Sequence, residues 1–299
     1  MLVINSNNSV LQMSPDNAPA AHASSGDTVC FQTLDCYSNE IKGEDQFASS
    51  VPWSRINPAT GPLYVDGAEP GDILRVEVQD IRLNSQGVMA IEPKHGALGD
   101  VIEAEKTRIL PIAGGKAKFN DLIELEINPM IGVIGTAPET GAILTGTPGE
   151  HGGNMDCKRI GKGSVVYLPA NVPGALLAIG DLHAVMGDGE VVICGVEASG
   201  EVAVKVDVIK GLSLPLPMVA QGGDVMTIAS AATLDEAARA ATMNMFSFLH
   251  RVVDLTFDEA GMLLSVVGDL RICQIVDPLM TARMEFPLWI LEKYGYSMP

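Results

Sequence analysis

Asp181, His183, Asp188 and Glu190 stand close together in the stretch Gly180-Asp-Leu-His-Ala-Val-Met-Gly-Asp-Gly-Glu190. Each can bind a metal ion or move a proton. Asp-x-His brings a carboxylate and an imidazole within reach of one centre, as a zinc site requires. Apolar runs at 175–179 and 191–196 flank the stretch. Both are short, branched and bounded by glycine, which predicts two buried strands with a clamped loop between them. Gly187-Asp-Gly-Glu190 also fits a plain hairpin turn, so residue types alone leave both readings open.

A second stretch carries similar chemistry: Thr145-Gly-Thr-Pro-Gly-Glu-His-Gly-Gly-Asn-Met-Asp156. Gly149, Gly152 and Gly153 strip side chains from the backbone and leave Glu150, His151, Asn154 and Asp156 as its polar side chains. Glycine costs conformational entropy. Such a run implies backbone N–H groups facing a ligand, or a surface loop that needs positive φ. Three more residues have chemical potential. Asp35 follows a strand predicted at 28–34 and either caps the next turn or points into a cleft. His95 sits in the glycine-bounded loop Glu92-Pro-Lys-His-Gly-Ala-Leu-Gly99, either solvated or functional. Glu197 lies on the strand predicted just after the central stretch.

Several chemistries are excluded. No Gly-x-Ser-x-Gly elbow occurs, nor the glycine- and serine-rich signature of Ser-Ser-Lys amidases. Phosphate loops and dinucleotide fingerprints are missing. Cys157-Lys158 follows Asp156, and acidic neighbours raise a thiol pKa and blunt a nucleophile. Asp35, Asp66, His95, His151, Asn154, Asp156, Asp181, His183, Glu190 and Glu197 remain, and such a set suits a divalent metal and hydrolysis. From the residues alone the reading ends at a metal-assisted hydrolase.

Composition bounds the rest. A net charge of −18 argues against nucleic acid, which needs clustered Lys and Arg, and against an anionic membrane surface. The five cysteines form no Cys-x-x-Cys pair, which argues against a disulfide framework and a zinc knuckle. The first 41 residues hold no Lys or Arg, unlike a signal peptide. No run reaches the ~18 apolar residues of a membrane span. A soluble, cytoplasmic protein is the expectation.

The elements that must position these side chains are mostly strands. In 73–81, Leu74, Val76 and Val78 alternate with Arg75, Glu77 and Gln79, a half-buried strand pattern. Further strands are predicted at 109–112, 122–127, 131–134, 164–168 and 202–209. No long helix is predicted between 60 and 210. Thr233-Leu-Asp-Glu236 and Thr256-Phe-Asp-Glu259 are capping boxes. They predict a helix over 234–252 and a shorter one ending near 266, followed by a strand at 270–276. The expected fold is mainly β: a sandwich- or barrel-like body over 1–215 that carries the catalytic loops, with an α/β C-terminal part over 216–299 packed on it.

The motifs resemble the acetamidase/formamidase family. The matching pieces are Asn57-Pro-Ala-Thr-Gly-Pro62, Val65-Asp-Gly-Ala-Glu-Pro-Gly-Asp72, His151-Gly-Gly-Asn-Met-Asp156, the central stretch 180–190, Cys194-Gly-Val-Glu-Ala198 and Asp277-Pro. The resemblance runs from about residue 26 to near the C-terminus. It implies a β-rich fold with an α/β C-terminal part and hydrolysis of a short amide to acid and ammonia. It also implies zinc in some members and lactam substrates in others.

Within that reading, His183 and Asp181, with His151 or Asn154, are the inferred ligands of a divalent metal, zinc by preference. Glu197 is the inferred general base, with His95, Asp35 and Asp156 as further catalytic candidates. Backbone N–H groups at Gly152 and Gly153 would hold the oxyanion. His151, Asn154, Asp181 and His183 are expected to meet in one pocket. A homo-oligomer, most simply a two-fold dimer, follows from base rate. A non-catalytic binding protein of the same fold and a hydrolase of a larger amide or lactam are the alternatives.

Overall fold

The computed structural model describes residues 1–299. Two large sheets face each other. The nine-stranded sheet runs Leu2–Ile4, Thr28–Thr33, Gly200–Ile209, Ile73–Leu83, Val165–Pro169, Met218–Gln221, Asp224–Ala231, Met280–Pro287, Asp269–Gln274. The eleven-stranded sheet is organised around Leu177–His183, which pairs with Met130–Gly135, Ala59–Asp66 and the two-residue Glu197–Ala198. Gly152–Asn154 lies beyond Met130–Gly135.

The strands carry the alternation that their sequences predict. Leu74, Val76 and Val78 point into the main core with Val202, Val204 and Val206 from the neighbouring strand, against Leu63, Ile131, Leu177 and Ile179 of the facing sheet. The register shifts between Ala203 and Val204, where Asp80 pairs with Ala203 and Val78 with Val204. The extra residue, Gln79, reverses the alternation beyond it. Ile81 is therefore buried where simple alternation would bury Asp80.

Both capping boxes form. The Thr233 and Thr256 hydroxyls each accept from the backbone N–H of the glutamate three residues on, and each glutamate carboxylate accepts from the threonine N–H. They open α1 (Leu234–Val252) and α2 (Phe257–Val267). α1 buries Ala237, Ala241, Met245, Phe248 and Leu249, a helical stripe, against the C-terminal strands. No helix is long and apolar enough to cross a membrane.

Two expectations need correcting. Residues 216–299 are not laid on the body as a separate layer. Met218–Gln221 pairs with Val165–Pro169, so the C-terminal strands extend the nine-stranded sheet, and only the helices pack on it. The run 191–196 forms no strand. Cys194 and Val196 are buried, yet the backbone there is irregular and only Glu197–Ala198 joins the sheet. An apolar run signals burial, not extension.

Candidate functional site

The acidic residues gather where Leu177–His183 meets Met130–Gly135. Ile131 pairs with Leu182 and Val133 with Gly180; Gly132 and Asp181 stand between those pairs. A Cβ on Gly132 would strike Asp156 Oδ1 and lie 2.7 Å from Asp181 Oδ2. Glycine at 132 thus leaves the space that the two carboxylates fill. Asp181, Asp156 and Glu190 all have left-handed backbone, with φ of +55°, +42° and +49°. Such conformations cost on the order of 1–3 kcal/mol each and persist where the surroundings over-determine them.

His183 is the hub. Alternation along the strand puts it on the same face as Asp181. Its Nε2 lies 3.2 Å from Glu197 Oε2, 3.5 Å from Asp181 Oδ1, 3.7 Å from Asp156 Oδ1 and 4.0 Å from Glu190 Oε1. Glu197 stands across the ladder from His183, and the Gly195 N–H donates to its Oε1 at 2.8 Å. Asp277 enters from the turn between the last two strands of the other sheet and accepts from Asn154 Nδ2 at 2.9 Å.

So many carboxyls in a dry site hold protons that water would remove. Burial pushes Glu197 up to about 8, with the imidazolium of His183 pulling down and Asp181 pushing up. Burial, then Asp181, pushes Asp156 up to about 7. Burial and Asp156 drive Glu190 and Asp277 well above the carboxylate range. Burial disfavours the charged form of His183, but Glu197 and Asp181 outweigh it and hold its pKa well above normal. Burial alone lowers His151 to about 4.

Thirteen buried side-chain N and O atoms make no hydrogen bond, and nine of them belong to His151, Asn154, Asp156, Asp181, His183, Glu190 and Glu197. Orphaned buried polar atoms cost about 1–3 kcal/mol each, so their concentration marks a place where a ligand satisfies them. The Asp156, His183 and Glu190 donors lie within 4.8 Å of one another, as do those of Cys36, Asp181 and Glu197. Carboxylates with an imidazole are a donor set that fits a divalent cation.

The Acetamidase/Formamidase family model matches residues 5–145 and 139–293, nearly the whole chain. The chain belongs to this family. Its fold is similar to that of an acetamidase from Bacillus halodurans, 50% identical over 99% of this chain and 100% of that one, with a TM-score of 0.98. A recombinant predicted acetamidase/formamidase from Thermoanaerobacter tengcongensis is 44% identical over 99% of each chain, with a TM-score of 0.97. A formamidase of Methylophilus methylotrophus is 28% identical over 255 residues, 66% of this chain and 63% of that one. The chain thus spans a little less than two thirds of that relative's length.

In this acetamidase/formamidase family member the residues singled out from the sequence divide. Asp156, Asp181, His183 and Glu197 form one buried group, with Asn154 tied to it through Asp277. Asp35 is buried beside them. Its Oδ1 accepts from the Asn39 N–H at 2.7 Å, as a turn cap does, and burial raises its pKa with Asp181 contributing. His151 is buried with an unpartnered Nε2. A Cβ on Gly153, where φ is +79°, would lie 2.9 Å from that Nε2.

The Gly152 N–H is donated to Gly149 O at 3.1 Å, and Gly153 stands opposite Ile134 in the ladder. The glycine pair is strand, and the Gly152 amide already has an acceptor in Gly149 O. His95 is not buried with the group, although its loop bonds to Val191 through the Ala97 N–H at 2.8 Å. Its side chain is 48% exposed, its Nδ1 is 3.4 Å from Glu92, and its ring faces Trp53.

Two members had no assigned role. Glu190 lies inside the central stretch, and Asp277 opens the Asp277-Pro pair. Only their residue types could have flagged them, because each arrives from a loop whose path tertiary contacts decide.

Proposed function

We propose that this chain is a metal-dependent amidohydrolase that cleaves short linear amides, such as formamide and acetamide, to the carboxylate and ammonia. Family membership and relatives named acetamidase and formamidase support the amide chemistry. The observation that carries the metal dependence is the ring of four buried carboxylates around His183 Nε2, with orphaned oxygens on each.

Asp156, His183 and Glu190 would hold the ion, with Asp181 beside them. The set inferred from sequence is His151, Asn154, Asp181 and His183; Asp156 and Glu190 are preferred here because they lie 3.7 and 4.0 Å from His183 Nε2. A divalent ion there, zinc by preference, would polarise the amide carbonyl and acidify water. The chain's own groups do the rest. Glu197, fixed by the Gly195 amide through one oxygen, keeps Oε2 free to take a proton from water as the C–O bond forms. It returns that proton to nitrogen as the C–N bond breaks, so that ammonia leaves. A carboxyl raised to about 8 gives a proton readily near neutral pH and can also take one. Burial of these side chains keeps bulk water from the site.

The test is ammonia release from formamide and acetamide by purified protein, before and after a chelator and metal replacement. Turnover that survives complete metal removal would overturn the metal dependence. The same reading takes the protein to act in the cytoplasm as a homo-oligomer, most simply a two-fold dimer. A monomer by light scattering at micromolar concentration would count against the dimer.

A further inference from the structure

Glu190 reaches the site from an irregular loop with left-handed backbone, towards Asp156, Asp277 and Glu197, which repel it. Something must hold it there. The neighbouring residues show what does. The Gly189 N–H donates to Cys273 O at 2.9 Å, and the Ile275 N–H donates to Gly189 O at 3.2 Å. The site loop is thus sewn to Asp269–Gln274, the edge strand of the opposite sheet.

Asp188, one residue earlier, accepts from both terminal nitrogens of Arg283, Oδ1 from Nη1 at 2.8 Å and Oδ2 from Nη2 at 2.9 Å. Lys158 Nζ lies 3.1 Å from the same Oδ2. Arg283 is 2% exposed. Its Nε donates to Glu285 Oε1 at 2.7 Å, and Nη1 also donates to Ile272 O at 2.8 Å. A bidentate guanidinium–carboxylate pair fixes both distance and orientation. The turn carrying Asp277 follows the same strand. Gln274 Oε1 accepts from the N–H groups of Val276 and Asp277 at 2.8 and 3.1 Å, and its Nε2 donates to Leu279 O and Thr281 Oγ1.

We infer that the pair Asp188–Arg283, its arginine buried, is a positioning device for the active site. It clamps the loop bearing Glu190 to the C-terminal hairpin bearing Asp277, and so fixes Glu190 against His183 and Asp277 against Asn154. Asp188 thus serves the site without being one of its ligands. Neither residue of the pair touches the reacting atoms. Partners that orient ligating groups in this way commonly change metal affinity or activity by about 10–100-fold when removed.

The inference rests on the functional reading above, so its test separates the two. Asp188→Asn keeps the shape and loses the charge; Asp188→Ala removes the clamp at a half-buried position. Arg283→Met is a harsher variant that can fail to fold, so the Asp188 pair carries the test. Three quantities are measured on the full chain: zinc affinity by titration of chelator-treated protein, kcat and KM on formamide, and amide hydrogen exchange at Gly189 and Ile275.

The expected result for Asp188→Ala is loss of protection at those two amides, roughly 10–100-fold weaker zinc binding, and a fall in kcat larger than any rise in KM. Asp188→Asn falls between it and the parent. Unchanged exchange at Gly189 and Ile275, or altered exchange with zinc affinity and kcat both at parental values, overturns the positioning role. If the parent itself binds no zinc and releases no ammonia, the functional reading fails and so does the clamp's role in it, while exchange still decides whether the clamp holds the loop.

Discussion

Glu197 and His183 face each other across a two-residue pairing of the eleven-stranded sheet, with Glu197 Oε2 3.2 Å from His183 Nε2 and both side chains buried. One is the free end of a carboxylate pinned by a backbone amide; the other is the nitrogen on which four acidic side chains converge. The pair divides the proposed chemistry into a proton carrier and an anchor, and substitutions should separate them.

Glu197→Gln should keep bound metal and lose amide turnover by roughly 10²-fold or more, the loss expected of a proton-transfer group. His183→Ala should lose metal and turnover together. Metal analysis beside an ammonia assay checks both. Full metal content and turnover in His183→Ala would exclude this residue as the anchor.

Gly132→Ala tests the space that the site needs. The added methyl meets Asp156 Oδ1 and comes within 2.7 Å of Asp181 Oδ2, in a strand that is buried along its length. At least one carboxylate must move, and turnover should fall by tenfold or more, since misplacements of about 1 Å commonly cost 10²-fold. Crystallography of the variant should show the displacement. Parental kinetics would mean that the carboxylates tolerate a different arrangement.

The ion-free protein should lose stability as pH rises from 6.5 to 8. Glu197 is held up to about 8 and Asp156 up to about 7, so the native state keeps protons that the unfolded chain has already released. Stability falls wherever the native state binds more protons. His151, lowered to about 4 from 6.5, acts in the opposite sense, chiefly below 6.5, and opposes the slope only at the lower edge of this window. Urea unfolding of chelator-treated protein at the two pH values checks the slope. Glu197→Gln should flatten it, and added zinc should raise stability most at the higher pH, because binding displaces protons.

Thr233→Ala and Thr256→Ala should each cost about 1 kcal/mol, the usual worth of an N-cap, and lower the melting temperature by roughly 2–4 °C. Each removes one hydroxyl acceptor from a capping box on the outer layer, away from the site. Turnover should be unchanged. A large loss of turnover at constant stability would tie the helices to the active site in a way that their contacts do not show.

The sequence by itself determined whatever rests on neighbours in the chain. The capping threonines precede α1 and α2 as predicted, because a cap is a contact over three residues. Alternation in 73–78 placed Leu74, Val76 and Val78 in the core, because side chains alternate along any strand. The long motifs around His151 and His183 pointed to the family that the whole chain matches. Tertiary structure alone decided the membership of the site. Asp156 and Glu190 converge on His183 from a strand end and a loop, Asp277 joins the group through Asn154 from the opposite sheet, and His95 and the Gly152 amide find local partners. Residue spacing cannot show that convergence, because it depends on how two sheets stack and on which loop the Asp188–Arg283 pair draws in. It also depends on where a glycine leaves room for two like charges. Each is a contact between residues far apart in the chain, set by packing and desolvation and not by local pattern.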